Sequence, residues 1–330
     1  MKKKYLALSI PTGIGLDIGG YAGDFGHIAR EFSKHFKLIL NPNAVNGGIL
    51  SAINDEMLYT EGFALDNFLM GKINLQPVNI PNKIGVIFDC AIPKDILNIH
   101  INTLNALKIV EGYDILPYML TSEPVGIDFS INKHSKVSTG SIKNPKTLLE
   151  TAKKLIDLGA QALAVICFFK DYDEFDDLNY INAQGVDPIG GVEAIISHLL
   201  VKEFGIMSAH SPAFSKLEIS DKIEDKKVAS ELISSTYLPC VIRGLNRAPK
   251  IIKNDISDEN IISYKDICGF VVPEKALGSP AVLACVKNNI PIYTVDNKTP
   301  LNIGFKELKI DVKMHFDDYF SLLNYLRENQ

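Results

Sequence analysis

Tyr5-Leu-Ala-Leu-Ser-Ile-Pro-Thr-Gly-Ile-Gly-Leu-Asp-Ile-Gly-Gly-Tyr-Ala-Gly-Asp24 leads into Phe25-Gly-His-Ile-Ala-Arg-Glu-Phe-Ser-Lys-His35 and then into Phe36-Lys-Leu-Ile-Leu40. Tyr5–Ile10 and Phe36–Leu40 are short apolar runs of the length of buried strands. Asp24–His35 carries the periodicity of an amphipathic helix. Strand, glycine-rich loop, helix and strand form one βαβ unit, which sets the class as α/β with a mainly parallel sheet.

The alternation continues along the chain. Lys83–Phe88, Ile115–Leu120, Ala162–Phe169, Leu238–Ile242, Gly269–Val272 and Ile292–Val295 read as strands. Asp95–Val110, Pro145–Leu158, Gly191–Phe204, Ser279–Lys287 and Phe316–Arg327 read as helices. Pro145–Leu158 has Asn144 as its cap, proline at its first position and Gly159 as its stop. The expected architecture is mainly parallel sheet with helices on both faces, as two interleaved Rossmann-like lobes. The polar stretch Asn132–Asn144 suggests a division into 1–135 and 136–330, with one compact unit as the alternative.

Composition narrows the function classes. The 330 residues are 46% hydrophobic, enough for a large core. The formal net charge of −5 lacks the basic footprint of a nucleic-acid partner. No run of about 18 apolar residues is present, and no signal-peptide pattern is visible, so neither a membrane span nor export is expected. Cys90, Cys167, Cys240, Cys268 and Cys285 are scattered without a CxxC pair. That arrangement fits neither a disulfide framework nor a zinc site and suits the cytoplasm. A homo-oligomer is compatible with all of this.

The first loop holds Gly13, Gly15, Gly19, Gly20 and Gly23. Glycines let backbone approach a ligand closely, and a helix N-terminus offers free N–H groups to an anion. The spacing is neither the Rossmann fingerprint nor a P-loop, so a tight structural turn is the competing reading. Asn46-Gly47-Gly48, Ile189-Gly-Gly and Gly278-Ser279-Pro280 each precede an apolar run of helical type. They offer further anion sites, or simply ordinary helix starts.

Five groups are candidates for chemistry. Asp89 follows the strand Gly85–Phe88, Glu61 follows a short apolar run, and Glu123 follows Ile115–Leu120. Acids after parallel strands sit where α/β proteins hold ligands, although single ones are commonly caps. Asp187 lies in the Asp-Pro-Ile-Gly-Gly turn that leads to Glu193. His210 follows a strand-like run and suits proton transfer or metal binding. His198, inside an apolar helix, reads as a core histidine. Arg243, Asn246 and Arg247 form a polar group able to clamp a carboxylate or phosphate. Cys240 sits among apolar residues and reads as an inert thiol. Lys170–Gln184 carries Asp171, Asp173, Glu174, Asp176 and Asp177 and reads as a solvated loop, with a lid or metal loop as the alternative.

The motifs together resemble an uncharacterised domain-of-unknown-function family, the 3326 type, found in bacteria and plants. The resemblance is carried by Pro11–Asp24 (PTGIGLDIGGYAGD), Asn41–Gly48 (NPNAVNGG), Glu61–Asp66 (EGFALD) and Glu123–Ile127 (EPVGI). It continues through Gln184–Leu199 (QGVDPIGGVEAIISHL), Ala209–Ala213 (AHSPA), Leu238–Pro249 (LPCVIRGLNRAP) and Gly278–Ala284 (GSPAVLA). It implies no activity, but it does imply that the glycine loops, acids and histidines belong to one design.

The residues themselves point to an enzyme acting on a small anionic metabolite by acid–base chemistry. Asp89, Glu61 or Asp187 would be the base and His210 the acid. Arg243, Arg247 and the loops at Gly13–Gly23, Asn46–Gly48 and Gly278–Ser279 would hold the anion. Isomerase, lyase and hydrolase are not separated at this level. The alternatives are a non-catalytic nucleotide or metabolite sensor, and a metal-dependent enzyme using His210 with a divalent ion.

Overall fold

The computed structural model describes residues 3–21, 23–169, 171, 180, 184–217, 219–253 and 259–329. The first third contributes β1 (Tyr5–Leu8), α1 (Gly26–Ser33), β2 (Lys37–Leu40), β3 (Met57–Tyr59), α2 (Gly62–Leu69) and β4 (Ile73–Gln76). The middle contributes β5 (Ile84–Phe88), α3 (Lys94–Val110), β6 (Met119–Leu120), β7 (Ile127–Ile131), β8 (Ser138–Ile142), α4 (Pro145–Asp157), β9 (Ala162–Phe168), α5 (Gly190–Phe204) and β10 (Met207–Ala213). The last part contributes α6 (Lys226–Leu232), α7 (Leu238–Asn246), β11 (Lys250–Lys253), β12 (Ile267–Pro273), α8 (Pro280–Lys287), β13 (Ile292–Val295), α9 (Phe305–Leu308), β14 (Met314–Phe316) and α10 (Tyr319–Glu328).

These strands build two parallel sheets. The larger runs β14-β13-β12-β1-β2-β3, with every neighbour parallel. Read from its other edge, this is the doubly wound Rossmann order, with its switch point between β1 and β12. Both ends of the chain supply it. The smaller sheet, β10-β9-β5-β6, is also all parallel and comes from the middle of the chain. A short antiparallel pair, β4 with β11, and the antiparallel hairpin β7–β8 complete the strands.

Helices cover both faces, as the βαβ pattern requires. On the large sheet α1 packs with α10, and α2 packs with α8. On the small sheet the alternation along β9 shows two buried faces. Ala162, Ala164 and Ile166 join the main core beside α7, while Leu163, Val165 and Cys167 join a second core beneath α4 and α5. Strands buried on both sides read as continuous apolar runs, which is why β5 and β9 are plain in the sequence.

Three local readings are corrected. Leu238–Ile242 is the start of helix α7, with Pro239 in its first turn. Proline lacks the N–H a central strand needs, and it suits a helix start. Within Asn132–Asn144, Ser138–Ile142 is a strand paired with β7. Asn46–Gly48 is followed by irregular chain and then β3, not by a helix. No helix among the described residues is long and apolar enough to cross a membrane.

Candidate active site

The carboxyl ends of β1, β2 and β3 open onto a cleft of about 130 Å³. After β1 the glycine loop supplies Gly13, Gly19 and Gly20. After β2 come Asn41, Asn43 and Asn46, and after β3 comes Glu61. The opposite wall belongs to α5, which brings Glu193, Ser197 and His198, with Asp187 just before it and His210 on β10. Tyr180, Glu231 on α6 and Cys240 near the start of α7 close the rim. A crevice beyond the carboxyl ends of parallel strands is where such sheets hold ligands.

Side-chain amides fix the loop. Asn41 braces Ile10 at both its N–H (2.9 Å) and its carbonyl (2.7 Å). Asn43 Nδ2 donates to the Gly19 carbonyl at 2.9 Å, and Asp24 accepts from Gly19 N–H at 2.8 Å. Gly13 has φ +76°, a region that favours glycine, and its carbonyl accepts from Ser138 N–H at 2.8 Å. Ser138 Oγ in turn accepts from Gly191 N–H at 2.9 Å. The β7–β8 hairpin thereby ties the glycine loop to the first turn of α5.

Two acid–histidine pairs line this cleft. Glu61 is buried. It caps α2 by accepting from Ala64 N–H at 3.1 Å, and its other oxygen pairs with His198 Nδ1. Burial works against charge on His198, but Glu61 and then Asp66 outweigh it and hold the ring above its ordinary pKa. Glu193 is buried with Oε2 3.8 Å from His210 Nε2, and its Oε1 has no hydrogen-bond partner. Burial, followed by the charges of Asp187 and Glu231, raises Glu193 well above the carboxylate range. Burial and then His198 lower His210 to about 3, and its Nδ1 meets Ser197 Oγ at 3.0 Å. Burial thus disfavours charge on both Glu193 and His210.

Asp187 completes the set. Desolvation raises its carboxyl to about 6, opposed by the N–H groups of Ile189 and Gly190. A strongly raised Glu193 and a less raised Asp187 share one cleft, the kind of inequality that separates acid and base roles between two carboxyls.

The expected site is thus assembled only in part. Asp187, His210, Glu61, Asn46, Gly13, Gly19 and Gly20 line the cleft, while Gly15 lines a neighbouring basin. Asp89 is a latch: its carboxylate accepts from the N–H groups of Ala91 (3.0 Å), Val125 (3.2 Å) and Phe168 (3.3 Å). Those bonds tie the loops after β5 and β6 to the end of β9, away from the cleft. Glu123 is exposed and accepts from Asn144 Nδ2 at 2.8 Å. Arg243 pairs with Glu111 at 2.6 Å and Arg247 with Asp55 at 2.8 Å, and neither lines the cleft. Asn246 is buried at the end of α7, where its carbonyl accepts from Asn82 N–H. Gly278 and Ser279 start α8, where Ser279 Oγ and Asp66 already cap the free N–H groups of Val282 and Ala281. Gly47 turns its N–H toward Cys240 Sγ, and burial raises that thiol to about 12, so it is inert near neutrality.

Two further readings change. His210 lies within β10 rather than in a loop, and His198 lines the cleft rather than the core. Asp171 accepts from Ser215 N–H at 2.9 Å, whereas Asp173, Glu174, Asp176 and Asp177 lie outside the described residues. For a metal, three donors mutually within 4.8 Å occur among the described residues at Asp296, His315 and Asp317, all exposed and none lining the cleft. Among the described residues, the cleft's own acids and histidines form no such trio.

A protein of Synechococcus named as an uncharacterised lipoprotein is 36% identical over 323 residues, covering 97% of this chain and 89% of that protein. No solved structure matches the chain. The family model described as "Protein of unknown function (DUF3326)" matches residues 6–327, nearly the whole of both lobes, and the chain belongs to that family.

Proposed function

We propose that the protein is an acid–base enzyme for a small polar metabolite, with Glu193 as proton donor and Asp187 as proton acceptor. One observation carries this reading: the buried Glu193 and the half-buried Asp187, both raised by desolvation, face a single cleft at the carboxyl ends of β1, β2 and β3, with His210 3.8 Å from Glu193. A donor must hold its proton at working pH and an acceptor must have lost it, and burial achieves the first where backbone N–H groups favour the second. Neutral His210 beside Glu193 relays or accepts hydrogen bonds. The Glu61–His198 pair ties the chain after β3 to α5. Backbone of the glycine loop approaches the substrate. No lysine or arginine lines the cleft among the described residues, so the reacting end of the substrate is uncharged or cationic.

The five cysteines are free, which supports a cytoplasmic setting. Cell fractionation tests that placement, since recovery with membranes would set this chain beside its lipoprotein-named relative. The catalytic reading is tested in cells lacking the protein. One polar metabolite is expected to accumulate, to clear on re-expression of the native chain, and to persist with Asp187→Asn expressed at equal level. Clearance by Asp187→Asn would overturn the reading.

A further inference from the structure

A second hollow of about 550 Å³ adjoins the cleft, and the same segments wall both. The glycine loop gives Gly13, Gly19 and Gly20 to the cleft but Gly15, Asp17 and Tyr21 to this basin. The chain before α5 gives Asp187 to the cleft and Gln184 and Gly185 to the basin. Tyr180 lines both. Its ring stacks on Tyr21 with centroids 4.5 Å apart and planes within 3°, so the partition between the two hollows is a fixed aromatic pair.

Charge separates them. Among the described residues, the basin carries Lys136, Lys227 and Lys298 against one carboxylate, Asp17. Lys298 stands 3.9 Å from Asp17. Lys227 donates to the Asp17 carbonyl and lies 5.9 Å over the Tyr21 ring, which holds its ammonium at the wall. Lys136, in the β7–β8 turn, pairs with no described carboxylate. The cleft carries Glu61, Asp187, Glu193 and Glu231 with no lysine or arginine among the described residues. An anion is therefore repelled by the cleft and attracted by the basin a few residues away.

We propose that the basin binds the anionic end of the substrate, a phosphate or a carboxylate, while its other end, bearing hydroxyl or amine groups, enters the cleft past Tyr180. The proposal deepens the acid–base reading and rests on it for the role of the cleft. It names the substrate class as a small molecule with an anion at one end and hydrogen-bond donors at the other. It also supplies the cation that an anionic metabolite needs, from lysines rather than from Arg243 and Arg247.

The test uses the full chain with its lysines ¹³C-dimethylated, which keeps their charge, and follows their NMR signals during titration with inorganic phosphate and, separately, acetate. The signals of Lys136, Lys227 and Lys298 are expected to shift together and saturate. Tighter binding of phosphate assigns a phosphate ester, and tighter binding of acetate a carboxylate. Lys227→Gln with Lys298→Gln is expected to weaken binding tenfold or more. Lys298→Gln alone, at a side chain that is 91% exposed, weakens it without endangering the fold. Shifts spread evenly over surface lysines, or no saturation with either anion, would overturn the proposal. Asp187→Asn leaves this titration unchanged, so failure of the cleft reading and failure of the basin are seen separately.

Discussion

Glu193→Gln is expected to lower turnover by about 10²-fold or more while leaving the protein at least as stable as the native chain at neutral pH. Glu193 is buried, has one oxygen without a partner, and faces neutral His210 at 3.8 Å. Burial, then Asp187 and Glu231, hold its proton on. Glutamine reproduces the shape of the protonated acid and cannot give up an acidic proton. The sign of the stability effect follows from linkage. A carboxyl whose pKa is raised on folding contributes stability that is complete below its unfolded pKa and is lost as pH rises through the folded value. The native chain therefore weakens on the alkaline side, and Glu193→Gln does not share that loss. Melting curves should coincide near pH 4 and separate near pH 8, with the variant higher. Unchanged turnover, or a variant less stable at pH 8, would remove Glu193 from the donor role.

Gly191→Ala is expected to damage fold and site together. A Cβ there would stand 2.0 Å from the Ser138 carbonyl oxygen, 2.4 Å from its carbon and 2.8 Å from Thr139 N. All three are backbone atoms of a paired strand and cannot swing aside. Helix α5 must move away from β8, breaking the Gly191–Ser138 bond and shifting Glu193 and His198 relative to the glycine loop. Overpacking of this kind costs about 1–3 kcal/mol, occasionally more. Gly112→Ala serves as control: nothing lies within 4 Å of its added methyl, and only its φ of +68° costs energy, roughly 1 kcal/mol. Denaturant midpoints should place Gly191→Ala clearly below Gly112→Ala, with clearance of the accumulated metabolite lost only in the former. Equal midpoints with full clearance would show that α5 does not depend on its contact with β8.

What the sequence makes legible follows from which forces act locally. Strands β5 and β9 are buried on both faces and declare themselves as apolar runs. Helix α7 has a similar apolar start, yet Leu238, Val241, Ile242 and Leu245 are buried at i, i+3, i+4 and i+7, a helical spacing present in the sequence beside Pro239. The site was partly legible because residues after strands and before helices gather at one sheet edge, which places Asp187, Glu61, Asn46 and the glycines together. Asp89 has the same sequence context and a different fate, since its carboxylate is consumed by three N–H groups, two from loops and one from the end of β9. Those partners are set by tertiary structure and leave no local mark. Glu193 and His198 pass in sequence as polar residues inside an apolar helix, and only the approach of α5 to the loops after β1 and β3 makes them part of a cleft wall.

The unequal ionisation of Glu193 and Asp187 is measured without any substrate by carboxyl ¹³C NMR of protein labelled at its glutamate and aspartate side chains. Resonances are assigned with Glu193→Gln and Asp187→Asn and followed through the neutral range. Asp187 is expected to titrate at about 6 while Glu193 keeps its proton at pH 7. Loss of both protons in the ordinary carboxylate range, around pH 4, would contradict it.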